Sequence, residues 1–216
     1  GHGFIGWKSF VDDPAGKPLK SNSGKIEIYC QQRYDLMASY GYPGVEQYKP
    51  YPTYVTPCVG YESTFKDGKI GGEKGDYPFI MYNPHYLRRS HTVFDNCPWL
   101  RETWANPVFV SREDAKAKGI SDGDTVLIST PAGKGLRRAA VLDILLPGVV
   151  GVPHGAWVDV DEKTGIDRAG SDNYLIGAEY GGFGVSGYNN QICNIEKYTG
   201  DALEPDCEWP QRIVNA

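Results

Sequence analysis

The sequence predicts a mainly β domain, a closed or nearly closed barrel with one or two small helices and long loops. Glycine occurs 27 times and proline 15 times among 216 residues, which indicates many turns and disfavours a helical bundle. Short runs with strand character outnumber helical runs by about three to one. A hydrophobic content of 40% is enough for the core of one such domain.

The first predicted element is a strand over residues 25–29, at the entrance to the domain. Its side chains alternate between polar and apolar, and a turn-forming Ser-Asn-Ser-Gly precedes it. Residues 35–76 then change character, because tyrosines and prolines are interleaved there without a helical or strand period. We expect this stretch to be a long surface excursion.

Regular structure is predicted to return at residue 77. Residues 77–82 and 107–110 are apolar runs of strand length. Ser111, three residues before the carboxylate of Asp114, has the signature of a helix N-cap. Gly119 then ends this short helix.

The remaining strands complete the predicted barrel. The run over residues 125–129 follows a turn, and a glycine turn joins it to residues 138–144 as a hairpin. Residues 149–152 and 191–196 form two further strands. Two glycine-bearing loops separate these last two strands.

These elements divide the chain into four segments. Residues 1–34 are an entry segment with the first strand, 35–76 the Tyr/Pro-rich excursion, 77–200 the barrel and 201–216 a polar tail.

Composition and charge exclude several classes of function. Acidic residues outnumber basic ones by 27 to 22, so no surface for tracking DNA or RNA phosphates is indicated. No apolar run approaches the roughly 20 residues of a membrane span. The first residues lack a basic head followed by an apolar stretch, and no methionine begins the chain. We therefore expect a piece of a longer protein, without its own targeting information.

The five cysteines do not have the spacing of a metal or redox site. No C-x-x-C pair occurs, which argues against zinc, an iron–sulfur cluster or a redox dithiol within the chain. We expect ordinary thiols, with one disulfide left open. The cysteines are Cys30, Cys58, Cys97, Cys193 and Cys207.

One family resemblance is carried by several motifs in order. Residues 111–129, S-R-E-D-A-K-A-K-G-I-S-D-G-D-T-V-L-I-S, precede a glycine turn and a strand ending in L-L-P-G-V-V, and this run closely resembles the molybdopterin dinucleotide-binding domain. Three further stretches support it, over residues 18–29, 85–92 and 154–157. N-C-P-W-L-R-E at residues 96–102 is most similar to the dimethyl sulfoxide reductase branch of the molybdopterin oxidoreductases.

The resemblance covers roughly residues 11–198 and implies a fold, a cofactor and partners. It implies a double-psi β-barrel, the aspartate decarboxylase-like barrel. This barrel would bind and bury a bis(molybdopterin guanine dinucleotide) with molybdenum or tungsten, as the C-terminal domain of a larger oxidoreductase. The enzyme would catalyse oxygen-atom transfer or a related two-electron reaction.

The same resemblance implies that this piece is inactive alone. The family's metal ligand and iron–sulfur cysteines reside in upstream domains, so no catalytic residue or metal ligand is assigned here. The implied partners are those upstream domains, an iron–sulfur electron-transfer subunit and a membrane anchor. Relatives imply the periplasmic or exterior face of a bacterial cytoplasmic membrane.

The expected cofactor site combines amides, small residues and an aromatic ring, as a polyanion with flat heterocycles requires. Without the resemblance, the same residues would be interpreted as a surface turn with a histidine, a barrel-lid tryptophan and an Asx-turn. The candidate cofactor-binding residues are His91, Thr92, Asn96, Trp157, Gly170, Asp172, Asn173, Asn190 and Gln191.

Two phosphate-binding motifs are rejected. Residues 182–187 satisfy G-x-G-x-x-G, but no strand precedes them and no helix is expected to follow. Residues 133–135, Gly-Lys-Gly, lack the upstream glycine and the helix of a P-loop.

Two other functions are alternatives to the cofactor-binding hypothesis. A carbohydrate or peptide binding module would explain the tyrosine-rich stretch through aromatic stacking, but it leaves the ordered motifs as coincidence. A pyruvoyl-dependent decarboxylase would need a self-cleaving Gly-Ser pair at a strand end, and none is predicted there.

Overall fold

The computed structural model describes residues 3–41, 45–177 and 189–204. The chain divides into two compact units, with the boundary between Val55 and Thr56. The G-x-G-x-x-G run at residues 182–187 and Cys207 lie outside the described residues.

The first unit is mostly irregular and contains two helices, α1 (Lys8–Asp12) and α2 (Gln31–Ser39). A 3-10 turn follows at Val45–Gln47. Helix α2 is rich in good helix formers, and Gln31 donates a 2.7 Å hydrogen bond to Asp35 one turn later. The stretch from residue 35 was expected to lack helix, and this is wrong for residues 35–39, which form the end of α2.

The strand predicted over residues 25–29 is also wrong. These residues form bends and irregular backbone, with Ile26 and Ile28 exposed by 74% and 71%. Among the described residues, no strand runs alongside to exchange backbone hydrogen bonds with them. Alternation of side chains describes a half-buried strand, but a strand also needs a partner.

The second unit contains the sheet. Among the described residues its strands are β1 (Phe79–Tyr82), β2 (Pro107–Ser111), β3 (Thr125–Ser129), β4 (Lys134–Leu142), β5 (Val149–Gly151), β6 (Val160–Asp161), β7 (Ile166–Asp167) and β8 (Gln191–Lys197). The strands predicted from residue 77 onward are confirmed. The short β6–β7 hairpin was not predicted.

Six of these strands close into a barrel in the order β2-β5-β1-β8-β3-β4, and β4 returns to β2. The predicted β3–β4 hairpin is confirmed as an antiparallel pair. Strands β1 and β5 pair in parallel, as do β2 and β4, so long crossovers connect them. The fold is the predicted double-psi β-barrel, with β7 and β6 extending from β4.

The described part of the second unit contains two helices, α3 (Pro98–Thr103) and α4 (Arg112–Lys118). The predicted caps of α4 are confirmed, because Ser111 Oγ accepts a 3.0 Å bond from the Asp114 amide and Gly119 is left-handed with φ 64°. Short 3-10 helices lie at Tyr61–Thr64, Lys66–Gly68 and Asp172–Tyr174.

The core fills the barrel interior with aliphatic side chains from every wall. On β3 the inward residues alternate with half-buried ones, as a strand period of two requires. Its fully enclosed members are Met81, Val108, Val110, Val126, Ile128, Val150, Val152, Leu175, Cys193 and Ile195.

Within the described ranges, no helix has the length and apolar character to cross a membrane. The four cysteines in these ranges are free thiols.

Candidate functional site

A cleft of about 360 Å³ opens at one end of the barrel. Parallel strands β1 and β5 both end here, and antiparallel β8 begins here, so three segments distant in sequence meet at one rim. The lining residues are Asn83, His85, His91, Thr92, His154, Gly155, Asn173, Ile176 and Asn189.

Three histidines form a contiguous group on the wall of the cleft. The His85 ring stacks on His154 with centroids 5.3 Å apart, and His91 meets His154 edge-on at 4.5 Å. Nε2 of His154 is hydrogen-bonded to Nδ1 of His91. No set of three histidine, cysteine, aspartate or glutamate side chains in the described chain has metal-binding geometry.

Asp172 lies directly beneath this group and is fully buried. Its Oδ2 is 3.2 Å from Nδ1 of His154, and its Oδ1 accepts a 2.8 Å hydrogen bond from the Gly155 amide. Asn83 donates to Oδ2 at 3.4 Å. The carboxylate is therefore enclosed by donors, as a buried acceptor requires.

A close backbone approach joins the histidine loop to the barrel. His91 has φ 54° and Gly155 has φ 92°. A Cβ at Gly155 would lie 1.6 Å from the His91 carbonyl oxygen, which only glycine avoids.

Trp157 ties the same loop to the barrel. Its indole Nε1 donates a 2.9 Å hydrogen bond to the Thr92 carbonyl. Its amide donates at 2.9 Å to Asp95 Oδ2. These contacts fit both interpretations of Trp157, as a barrel-lid aromatic and as a neighbour of the cleft.

Four buried arginines form a cluster behind the cleft, Arg88, Arg89, Arg101 and Arg137. Asp95 contacts Arg89 at 3.1 Å and Arg88 at 3.3 Å. Burial first, and then the nearby Arg89, lower the pKa of Arg137 to about 9 and the pKa of Arg88 to about 10. Both values lie above neutral pH, so Arg88 and Arg137 stay protonated and add positive potential behind the cleft.

Arg137 holds the loops of the cleft together through their carbonyl groups. Its Nε donates to Gly170 at 2.8 Å, and its Nη2 donates to Pro153 at 2.8 Å and to Gly155 at 3.4 Å. Gly170 therefore supports the site through its carbonyl. Its φ is 67°, and a Cβ there would lie 2.5 Å from the Leu136 carbonyl oxygen.

The structure brings together only part of the predicted set. His91, Thr92 and Asn173 line the cleft, while Asp172, Gly170 and Trp157 support it. The other three do not line the cleft: Asn96 and Asn190 are exposed, and Gln191 is buried at the start of β8 opposite Met81.

Sequence reasoning missed six lining residues. One signal was available, because three of the chain's four histidines lie in the stretches 85–92 and 154–157 that carry the family resemblance. Asn189 directly precedes the predicted Asn190, whereas Asn83 and Ile176 had no such signal. The missed residues are Asn83, His85, His154, Gly155, Ile176 and Asn189.

Comparison with known proteins places the cleft in a segment that matches a known family. The family model described as the Molydopterin dinucleotide binding domain matches residues 79–184, which include most of the cleft. Dimethyl sulfoxide reductase DmsA of Escherichia coli (strain K12) is 36% identical over 180 residues, which are 81% of this chain and 20% of that protein. Trimethylamine-N-oxide reductase of Pasteurella multocida (strain Pm70) is 34% identical over 214 residues, covering 94% of this chain and 24% of that protein.

A solved structure supports the fold alone. Acetylene hydratase from Pelobacter acetylenicus superposes with a TM-score of 0.63 at 17% identity, over 90% of this chain and 28% of that one.

The chain spans about a fifth to a quarter of the length of the two reductases named above. It belongs to the molybdopterin dinucleotide-binding domains of the dimethyl sulfoxide reductase family.

Proposed function

We propose that the cleft binds part of a bis(molybdopterin guanine dinucleotide) carrying molybdenum or tungsten, within a larger oxidoreductase. One observation carries the proposal: the histidines and amides that converge at this barrel end lie largely inside the segment that matches the dinucleotide-binding family.

The residues present fit such a group. Asn83 Oδ1 is buried and has no hydrogen-bond partner among the described residues, so it suits an N–H on the edge of a guanine or pterin ring. Thr92, Asn173 and Asn189 offer neutral donors to phosphate or ring atoms. Gly155 admits the backbone of His91 at close range, which holds the His91 loop at the cleft.

The electrostatics also suit a polyanion. No carboxylate lines the described part of the cleft, since Asp172 lies beneath it and is engaged by His154 and Gly155. The arginine cluster behind the wall adds positive potential in a low-dielectric interior. A diphosphate is the part of the cofactor that this arrangement favours.

When bound, the cofactor would supply a metal that exchanges two electrons and an oxygen atom with a substrate. The residues of this chain would bind and orient the dinucleotide and exclude water from it. Two relatives are named as reductases of dimethyl sulfoxide and trimethylamine N-oxide, which supports a sulfoxide or N-oxide as the oxygen donor.

The proposed partners are the remaining domains of the catalytic subunit, an iron–sulfur subunit and a membrane anchor. The proposed location is the periplasmic or exterior face of a bacterial cytoplasmic membrane. Both proposals rest on family resemblance.

Cofactor content of the full-length parent protein tests the proposal. After anaerobic purification, mass spectrometry and acid hydrolysis should give about one molybdenum or tungsten and about two GMP per chain. Folded protein from a cofactor-competent host that contains neither would refute the function.

Variants of the parent then test the cleft itself. His91→Ala and Asn173→Ala should lower metal and GMP content with the fold intact, since both side chains line the cleft. Asn96→Ala is the matched control, because its side chain is exposed and does not line the cleft. Equal occupancy in all three variants would remove the cleft from the site.

A further inference from the structure

We infer that Asp172 is a positioning residue that fixes the tautomers of His154 and His91, so that one proton switches Nε2 of His91 from an acceptor to a donor toward the bound anion. We call Asp172, His154 and His91 the relay. The inference rests on the proposed function for the identity of the anion, and on the geometry of the described residues for the switch.

The first step concerns the charge of Asp172. Among the described residues, two amide groups donate to its carboxylate, that of Gly155 at 2.8 Å and that of Asn83 at 3.4 Å. Both hydrogen bonds favour the ionised carboxylate, which can only accept. His154 Nδ1, 3.2 Å from Oδ2, must then carry its hydrogen toward this oxygen.

The second step follows along the imidazole rings. A neutral His154 with hydrogen on Nδ1 has a lone pair on Nε2. That nitrogen is bonded to Nδ1 of His91, which must donate. In a neutral relay, His91 therefore presents a lone pair at Nε2, the nitrogen at the other edge of a ring that lines the cleft.

The third step adds one proton. If the proton resides on His91, both of its nitrogens carry hydrogen. If it resides on His154, the bond between the rings reverses, and neutral His91 carries its hydrogen on Nε2. In both cases Nε2 becomes a donor, so one proton prepares the cleft for a phosphate oxygen wherever the charge is located.

The surroundings of the relay favour this extra proton when an anion is present. The buried Asp172 carboxylate compensates a positive charge on the rings, while His85 stacks on His154 as a further titratable group. Behind them, Arg137 reaches the Gly155 carbonyl at 3.4 Å. The other three arginines of the cluster oppose the added charge, and Asp95 offsets one of their three positive charges.

The backbone fixes the distances of the relay. His91 has φ 54°, a conformation that histidine adopts more readily than most residues, and its carbonyl lies against Gly155. The Gly155 amide in turn holds Asp172. The loop, the turn and the carboxylate therefore form one unit.

The first test needs no ligand. Long-range ¹H–¹⁵N spectra of the 216-residue chain, labelled at its four histidines, report which ring nitrogen is protonated. At about pH 9, where ordinary imidazoles are neutral, His154 and His91 should both carry hydrogen on Nδ1. A neutral His91 with hydrogen on Nε2 under these conditions would overturn the inference.

Asp172→Asn sharpens the test. Gly155 still requires an oxygen at the Oδ1 position, so the amide nitrogen faces His154 Nδ1 and turns it into an acceptor. Both rings should change tautomer, and His91 should carry hydrogen on Nε2 without any added proton. If this variant does not fold, His154→Gln interrupts the relay instead and should release His91 from the Nδ1 tautomer.

The second test measures proton uptake with inorganic pyrophosphate as the probe. At about pH 9, where ordinary imidazoles are neutral, calorimetry in buffers of different ionisation enthalpy should show about one proton taken up per bound pyrophosphate, with affinity falling roughly tenfold per pH unit. Asp172→Asn should bind without proton uptake. Asn189→Ala, in the same cleft but outside the relay, should bind more weakly and keep the uptake.

The outcomes separate the relay from the proposed function. If the tautomers are as expected but pyrophosphate does not bind, the result counts against dinucleotide binding at this cleft. It still supports Asp172 as the residue that positions the two rings. Binding without proton uptake by the unmodified chain overturns the switch. A purely structural Asp172 would lower stability and leave the tautomer of His91 unchanged.

Discussion

Gly155→Ala tests the close approach that positions His91. At this site φ is 92°, and a Cβ would lie 1.6 Å from the His91 carbonyl oxygen and 2.5 Å from its carbon. Gly123→Ala is the matched control, because Gly123 has φ 80° and open space where a Cβ would lie. The two substitutions share the backbone cost and differ in the clash.

The expected magnitudes follow from these two costs. A left-handed alanine costs about 1–2 kcal/mol, which is the whole effect expected at Gly123. Overpacking against another atom adds about 1–3 kcal/mol, at the upper end here because the nearest atoms at Gly155 belong to the backbone of His91. We expect Gly155→Ala to lower the free energy of unfolding by about 4 kcal/mol in total.

Urea and thermal unfolding followed by circular dichroism would measure the difference. For a chain of this length, about 4 kcal/mol corresponds to roughly 8–16 °C in Tm, and the cost of about 1–2 kcal/mol in the control to roughly 2–8 °C. If the free energies of unfolding of Gly155→Ala and Gly123→Ala differ by less than about 1 kcal/mol, the packing of His91 on Gly155 is not the constraint described.

Three further predictions concern the barrel. Ser111→Ala removes the cap that accepts from the Asp114 amide and should lower the free energy of unfolding by about 1 kcal/mol in urea titrations. Asp95→Asn removes the charge that faces two buried arginines and should cost about 3–5 kcal/mol by the same measurement. Burial raises the pKa of the Cys193 thiol far above its ordinary range, so at alkaline pH the folded protein keeps a proton that the unfolded chain loses. The stabilising contribution of the Cys193 thiol is full below the ordinary thiol pKa of about 8.5 and should decline as pH rises above this value. A thiol reagent should modify exposed Cys58 before buried Cys193.

Each of these has a control and a contrary result. Asp143→Asn breaks an exposed pair with Arg112 and should change stability by less than about 1 kcal/mol. An equal loss in Asp95→Asn and Asp143→Asn would contradict the burial argument. Cys193→Ala should remove part of the alkaline decline in stability, and an unchanged slope would show that other groups cause it. Unaltered stability in Ser111→Ala would mean that the cap contributes nothing to the folded state.

Local signals in the sequence predicted the local structure well. The cap residues Ser111 and Gly119 bound α4 because each satisfies backbone groups within a few residues of itself. Strand β3 was predicted over its full length, since its apolar residues repeat with the period of a sheet. The same period failed at residues 25–29, where no second strand lies alongside among the described residues.

The cofactor site was predicted only in part, because the sequence signals for it are also local. His91, Thr92 and Asn173 lie in stretches that resemble a known family, and the cleft contains all three. Asn96 and Asn190 lie next to the correct segments, but their side chains are exposed and do not line the cleft. Proximity along the chain does not specify the direction of a side chain on an irregular loop.

Strand period, caps and motifs depend on neighbouring residues, so the fold class, the family and the segments that carry the site were predictable from the sequence alone. The pairing of β1 with β5, and with it the contact of His91 with His154, 63 residues away, came from the folded structure. It also decided that Asp172 lies beneath them, fully buried. The physical reason is barrel closure: parallel pairing across long crossovers brings distant strand ends to one rim, and no local pattern encodes which ends will meet.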